Sequence, residues 1–217
     1  MSYENARNGI GKVFTSQILA IIAAVCTLIA GIMAALLIGA AAAESAGGAV
    51  ASGVGAAILG IAATVIGIIA YILNLVGLNN AGKDSEQLKK AFTISIVSLI
   101  VAIVFGIIQG LASATWIKNL GDIVATVLGL LVTYNVLYGC AGLKSELTDK
   151  ANKTWKMYMI VVILDIVIAL LGVILGAIGV TTASAVVSLV IVIADFVFDI
   201  IAFFMYLSFL SLAKKTL

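Results

Sequence analysis

Residues 13–40, VFTSQILAIIAAVCTLIAGIMAALLIGA, carry no charged side chain and no proline. The run is longer than the roughly 7 to 15 apolar residues of a signal-peptide core. It also exceeds the roughly 20 residues that cross a hydrocarbon layer about 30 Å thick as helix. It therefore reads as a retained first membrane span, entered from a short polar leader, Met1 to Lys12, that holds Arg7 and Lys12.

Five further apolar runs follow the same rule. Gly53 to Leu78 is the second span and Ala91 to about Ala112 the third. Asp122 to Cys140 is the fourth, Trp155 to about Gly179 the fifth, and the sixth ends near Leu210. Between them lie two kinds of connector. Residues 79–90 (NNAGKDSEQLKK) and 141–154 (AGLKSELTDKANKT) are charged and hydrated, whereas 41–52, 113–121 and 180–185 are rich in Ala, Gly, Ser and Thr. The fold class is accordingly all-α: one polytopic membrane domain over 1–217, read as three consecutive helical hairpins, 13–78, 91–140 and 155–210.

Composition agrees with this class. Hydrophobic residues make up 64% of the chain, charged residues 10%, and mean hydropathy is +1.29, too little polar surface to coat a water-soluble domain. The charges are also asymmetric. Of twelve Lys and Arg only Lys118 lies outside the leader, the charged loops with their flanks, and the tail. By the positive-inside rule both termini and both charged loops are cytoplasmic, in a plasma membrane. A net charge of +2 gives no reason to expect nucleic acid.

Zero His removes the usual metal ligand and general base, so neither a metal, a cofactor nor catalysis is expected. The spacing Asp195-x-x-x-Asp199 resembles the metal-binding carboxylates of membrane prenyltransferases. Those motifs, however, come with basic residues close by for a diphosphate, and here the nearest are Lys156 and Lys214. Cys26 and Cys140 fall inside apolar runs and read as small buried hydrophobes, with no disulfide framework.

Two sequence patterns suggest internal repetition. Residues 81–86 and 141–146 share Ala-Gly-x-x-Ser-Glu. Lys12-Val13-Phe14, Lys90-Ala91-Phe92 and Lys153-Thr154-Trp155 each set a cation and then an aromatic at the mouth of an odd-numbered span. Small residues recur on one face of several spans: Ser95, Ser98, Ala102, Gly106 and Gln109 in the third, and Ala56, Gly60, Ala63, Gly67 and Asn74 in the second. The fourth offers Asp122, Thr126, Gly129 and Thr133. These stripes are expected to pack helix against helix.

The last two spans differ in carrying carboxylates. ADFVFDI (194–200) puts Asp195 and Asp199 one turn apart, and Asp165 sits within the fifth span. An ionised Asp at the bilayer centre costs roughly 2.5 to 3.5 kcal/mol, so these groups are expected to face protein or water and to carry protons. Asp165 lies on a face with Tyr158, and Asp199 on a face with Ser188 and Tyr206. Counted from Trp155 and Phe209, Asp165 and Asp199 are each about 15 Å deep, with Asp195 about 6 Å further out. The expected site is therefore Asp165, Asp195 and Asp199, with Asp122, Gln109, Ser188, Tyr158 and Tyr206 as supporting polar groups. Its expected ligand is H⁺ or Na⁺, coupled to a solute. The competing expectation makes the acids protonated hydrogen-bond donors between helices. The protein then acts by lateral packing with itself or with another membrane protein.

Overall fold

The structure is a computed structural model that describes residues 3–42, 46–111, 115–178 and 182–217. Side chains are described except in 37–53, 111–119 and 165–196 and at 122. Among the described residues there is no strand. Six helices follow in order: α1 (Glu4–Ala42), α2 (Ala46–Ala81), α3 (Glu86–Leu111), α4 (Thr115–Leu143), α5 (Thr148–Ile178) and α6 (Thr182–Thr216). A short 3-10 turn, Ser145–Leu147, stands between α4 and α5.

The helices are longer than the apolar runs that announced them. The polar leader is not separate from the first span but is its first turns, since α1 starts at Glu4. The loop read at 79–90 shrinks because α2 continues to Ala81 and α3 starts at Glu86, and the loop at 141–154 is mostly helical too. An apolar window marks where a helix meets lipid, not where its hydrogen bonding stops. In a chain without proline, little else stops a polar helical end from continuing. At 39 residues α1 is about 58 Å long, nearly twice the thickness of a hydrocarbon layer.

Five described segments are long and apolar enough to cross a membrane: Glu4–Leu36, Val54–Ala81, Glu86–Gly110, Ile123–Leu143 and Val197–Thr216. Those of α1 to α4 match the first four expected spans, and the last is the described part of α6. Most of the fifth expected span, on α5, lies in 165–178, outside the described side chains.

One apolar core draws on all six helices, and it sits at the end that carries the charged loops. Ile10 and Val13 of α1, Leu78 of α2, Leu88 of α3, Val136, Leu137 and Cys140 of α4, Ala151 of α5 and Phe209 and Leu210 of α6 are all fully buried there. The core gathers the N-terminal ends of α1, α3 and α5 with the C-terminal ends of α2, α4 and α6, so successive helices alternate in direction. Phe14, Phe92 and Trp155, the aromatics that follow a cation in the sequence, all pack against this core. Towards the other end the chain offers Leu28, Leu36, Ile61, Ile107 and Ile123 outward, the surface expected of a protein whose solvent is lipid.

The contacts between helices are unequal. α1 runs along α2, α3 along α4 and α5 along α6, while α6 returns to α1 and α2–α3 and α4–α5 meet more narrowly. Near the core, α1 and α2 touch backbone to backbone: a Cβ built on Gly9 would lie 2.6 Å from the Ala81 nitrogen and against the Gly77 carbonyl oxygen. Close approach of this kind supplies the van der Waals contact that helices in lipid rely on.

The charged end is tied by specific polar contacts. Asp84 accepts hydrogen bonds from the Asn5 side chain at 3.0 Å and the Ala6 backbone N–H at 2.8 Å. The Ser85 hydroxyl accepts the Leu88 N–H at 3.4 Å at the start of α3. Lys90–Glu86 and Lys153–Asp149 pair across one helical turn. Both ion pairs are exposed, so they keep the helix ends hydrated more than they stabilise the fold.

Candidate functional site

Where α5 and α6 leave the core, two tyrosines meet. The Tyr158 and Tyr206 rings lie edge to face, 6.0 Å apart at 87°, the arrangement that sets the positive rim of one ring on the negative face of the other. Tyr206 is buried, Tyr158 half-buried. The α5 face that brings Tyr158 here continues a buried strip of Leu147, Ala151 and Thr154, at the three- and four-residue spacing of one helix side. On α6 the matching strip is Ala202, Tyr206, Phe209 and Ala213.

Polar groups border this pair on both sides. Asp199 is within electrostatic reach of Tyr158, and Cys140 of α4 within reach of Tyr206. Asp199 itself is exposed on the surface of the single chain, whereas Ala202, three residues on, is buried. Among the described side chains of α6, close packing begins at Ala202 and runs towards the C-terminus, with Asp199 just outside it. Gln109, expected as a supporting group on α3, is exposed. The side chains of Asp165, Asp195, Ser188 and Asp122 lie outside the described residues.

Sequence reasoning overlooked two features. Lys150 of α5 donates from Nζ to the Ser208 carbonyl oxygen at 3.0 Å and to its hydroxyl at 2.8 Å, clamping α5 to α6 on the far side of the tyrosine pair. Next to it, the Tyr138 hydroxyl donates to the Asn152 side chain at 2.8 Å, and Trp155 stands edge-on to Tyr134 at 5.1 Å. The cation-then-aromatic pattern at Lys153-Thr154-Trp155 pointed to this region without saying which partners it would find. The small-residue stripe of α2 stays covered as far as Ala63, whereas that of α3 is packed only near the core. Ser95 is buried and accepts the Tyr71 hydroxyl on its carbonyl oxygen, but Ala102 and Gly106 further along the same face are exposed.

Compared with known protein families, with curated proteins and with solved structures, the chain matches none.

Proposed function

We propose that the protein is a six-span plasma-membrane protein, both termini cytoplasmic, whose last helical hairpin holds a protonatable site for H⁺ or Na⁺ coupled to a solute. The observation that carries this reading is the Tyr158–Tyr206 contact. Counted along the antiparallel helices from that pair, seven residues on each reach Asp165 and Asp199, so the two acids fall at one level. Two carboxylates brought side by side at one level in a poor dielectric titrate as a coupled pair, the arrangement that would let one site hold a proton or exchange it for a cation. Asp195 lies one turn beyond, and Tyr158, in reach of Asp199, supplies a hydroxyl at the core side. The reading assigns no catalysis and needs no cofactor.

The domain is then three hairpins inserted the same way round. Support comes from the pairing of α1 with α2, α3 with α4 and α5 with α6, and from the shared Ala-Gly-x-x-Ser-Glu of the two charged turns. The test is flux in proteoliposomes carrying a pH-sensitive dye, with proton and Na⁺ gradients imposed in turn. Wild type is expected to move protons and Asp199→Asn and Asp165→Asn to lose most of that flux. A silent wild type, or an Asn variant as active as wild type, overturns the ion site.

A second reading has an observation of its own. Cβ atoms built on Gly60, Gly67, Gly106, Gly110 and Gly129 would meet nothing within 4 Å, so each leaves open space in the single chain, and on α3 the neighbouring Ala102 is exposed as well. Ala102, Gly106 and Gly110 repeat at the four-residue spacing that lets membrane helices approach closely. On this reading the protein is an accessory membrane component that packs sideways against itself or another membrane protein, and Asp199 becomes a protonated donor across that contact. Cysteine cross-linking at Gly106 in native membranes distinguishes the two.

A further inference from the structure

We infer that the cleft between α1 and α2 on the side of the charged loops is a binding site for one anionic glycerophospholipid. This inference is independent of the acidic site on the last hairpin. The cleft has a volume of about 330 Å³ and is lined by Ser16, Gln17 and Ala20 of α1 and by Gly67, Tyr71 and Asn74 of α2. Its polar groups are not alike. The Ser16 hydroxyl donates to the Val13 carbonyl oxygen and the Tyr71 hydroxyl to that of Ser95, so both are already engaged. The carboxamides of Gln17 and Asn74, each half-buried, make no hydrogen bond among the described residues. By contrast, the Asn135 carboxamide returns to its own helix at the Leu131 carbonyl oxygen, 2.7 Å away.

Depth decides what can satisfy these two amides. Gln17 lies five residues inside Lys12, and Asn74 five residues inside Asn79, so both sit about 7.5 Å below the polar ends of their helices. The headgroup layer of a bilayer is about 5 to 7 Å thick on each side, which places the amides at the foot of that layer, where glycerol joins the acyl chains. The hydrogen-bond acceptors lipid offers at that level are the ester carbonyl oxygens, and a carboxamide NH₂ is their natural donor.

The rest of the cleft suits the same molecule. Deeper in, its wall is small and apolar, and Gly67 leaves open space where a side chain would stand, room for an acyl chain. One turn outward from Ser16, on the same strip of α1, is Lys12, whose side chain leans towards the helix N-terminus and so towards the headgroup layer. Lys12 takes part in neither of the ion pairs among the described residues, which leaves its ammonium for a phosphate. Cation, paired amides and apolar trough thus follow the order phosphate, esters, acyl chain.

The test uses the full chain in detergent, with bound lipid counted by native mass spectrometry. The probes are diester phosphatidylglycerol, its diether analogue with the same headgroup, and diester phosphatidylcholine. Wild type is expected to retain one diester phosphatidylglycerol and to hold the diether form several-fold less well. Gln17→Leu and Asn74→Leu should each weaken retention about fivefold, the effect of one lost hydrogen bond. Lys12→Gln should abolish the preference over phosphatidylcholine, and Asn135→Leu should change nothing. Equal retention of diester and diether by wild type overturns the site, and that comparison needs no variant to fold. Undiminished binding by the Leu variants, or capture of a second protein copy instead of lipid by a photo-cross-linker at Ala20, overturns it as well.

Discussion

The Asp84 carboxylate, on the turn between α2 and α3, accepts the Ala6 backbone N–H at 2.8 Å, capping a helix from 78 residues away in the chain. The first turn of a helix has N–H groups without intrahelical partners and carries the positive end of the helix dipole, so a carboxylate there is favoured twice. The bond also fixes where α1 starts relative to the α2–α3 turn. Asp84→Ala should therefore cost about 1 to 2 kcal/mol. Hydrogen exchange is expected to quicken first at residues 4–10, with α4 and α5 unchanged.

The contact between α1 and α2 makes a sharper contrast. At Gly9 a methyl group would meet backbone atoms, the Gly77 carbonyl oxygen and the Ala81 nitrogen, which cannot turn aside. At Gly67 it would meet nothing within 4 Å. Gly9→Ala should force the helices apart and cost about 1 to 3 kcal/mol. Gly67→Ala should be neutral or slightly stabilising, because alanine loses less backbone freedom than glycine in a helix. Reversible unfolding in mixed micelles, with both variants in parallel, reads the difference.

These positions also show what the sequence could and could not say. The run 13–40 announced a span because crossing lipid demands unbroken apolar helix, a constraint written in every residue. Gly9 and Gly67 look alike in sequence, yet only one is a contact, because contact depends on a partner helix some seventy residues away. The small-residue stripe on α3 was legible as a face, but its packing stops after Ser98, where no neighbouring helix is close enough to cover Ala102 and Gly106. On α5 and α6 the sequence placed Tyr158 on a face with Asp165 and Tyr206 on a face with Asp199, but not the ring contact between the two tyrosines. The exposure of Asp199 was not readable, since it depends on where the core ends and not on which residues line a helix. Lys150 reaching Ser208 depended equally on the spacing of α5 and α6.

Thr154 is fully buried at the core end of α5, and its hydroxyl oxygen has no hydrogen-bond partner among the described residues. Threonine in a helix ordinarily bonds back to the carbonyl one turn earlier, as Thr15 does to Gly11 at 3.1 Å. An unpaired buried hydroxyl has lost water without recovering a bond, so Thr154→Val, which keeps the branched shape, should stabilise by about 1 kcal/mol. Ser95→Ala is the opposite case, since the Ser95 hydroxyl donates to the Ala91 carbonyl oxygen at 2.9 Å. It should be mildly destabilising. Unfolding midpoints of the two variants moving in opposite directions is the expected outcome.

Cys140 offers a way to follow all of these changes in the membrane itself. Its thiol is fully buried in the core shared by the six helices, beside Tyr206, and it forms no disulfide. A water-soluble maleimide can reach it only when that core opens, so the labelling rate measures the open population, provided closing outpaces the reagent. With Cys26 replaced by alanine to leave a single thiol, folded wild type should label slowly and fully denatured protein at once. Because Ile10 and Val13 of α1 lie in the same core as Cys140, a helix displaced by Gly9→Ala should expose the thiol and raise the rate about fivefold for each kcal/mol of stability lost. Thr154→Val should lower it. If Gly9→Ala lowers the unfolding midpoint while Cys140 labelling stays at the wild-type rate, α1 is not part of the cooperative core, and the single six-helix unit divides into smaller ones.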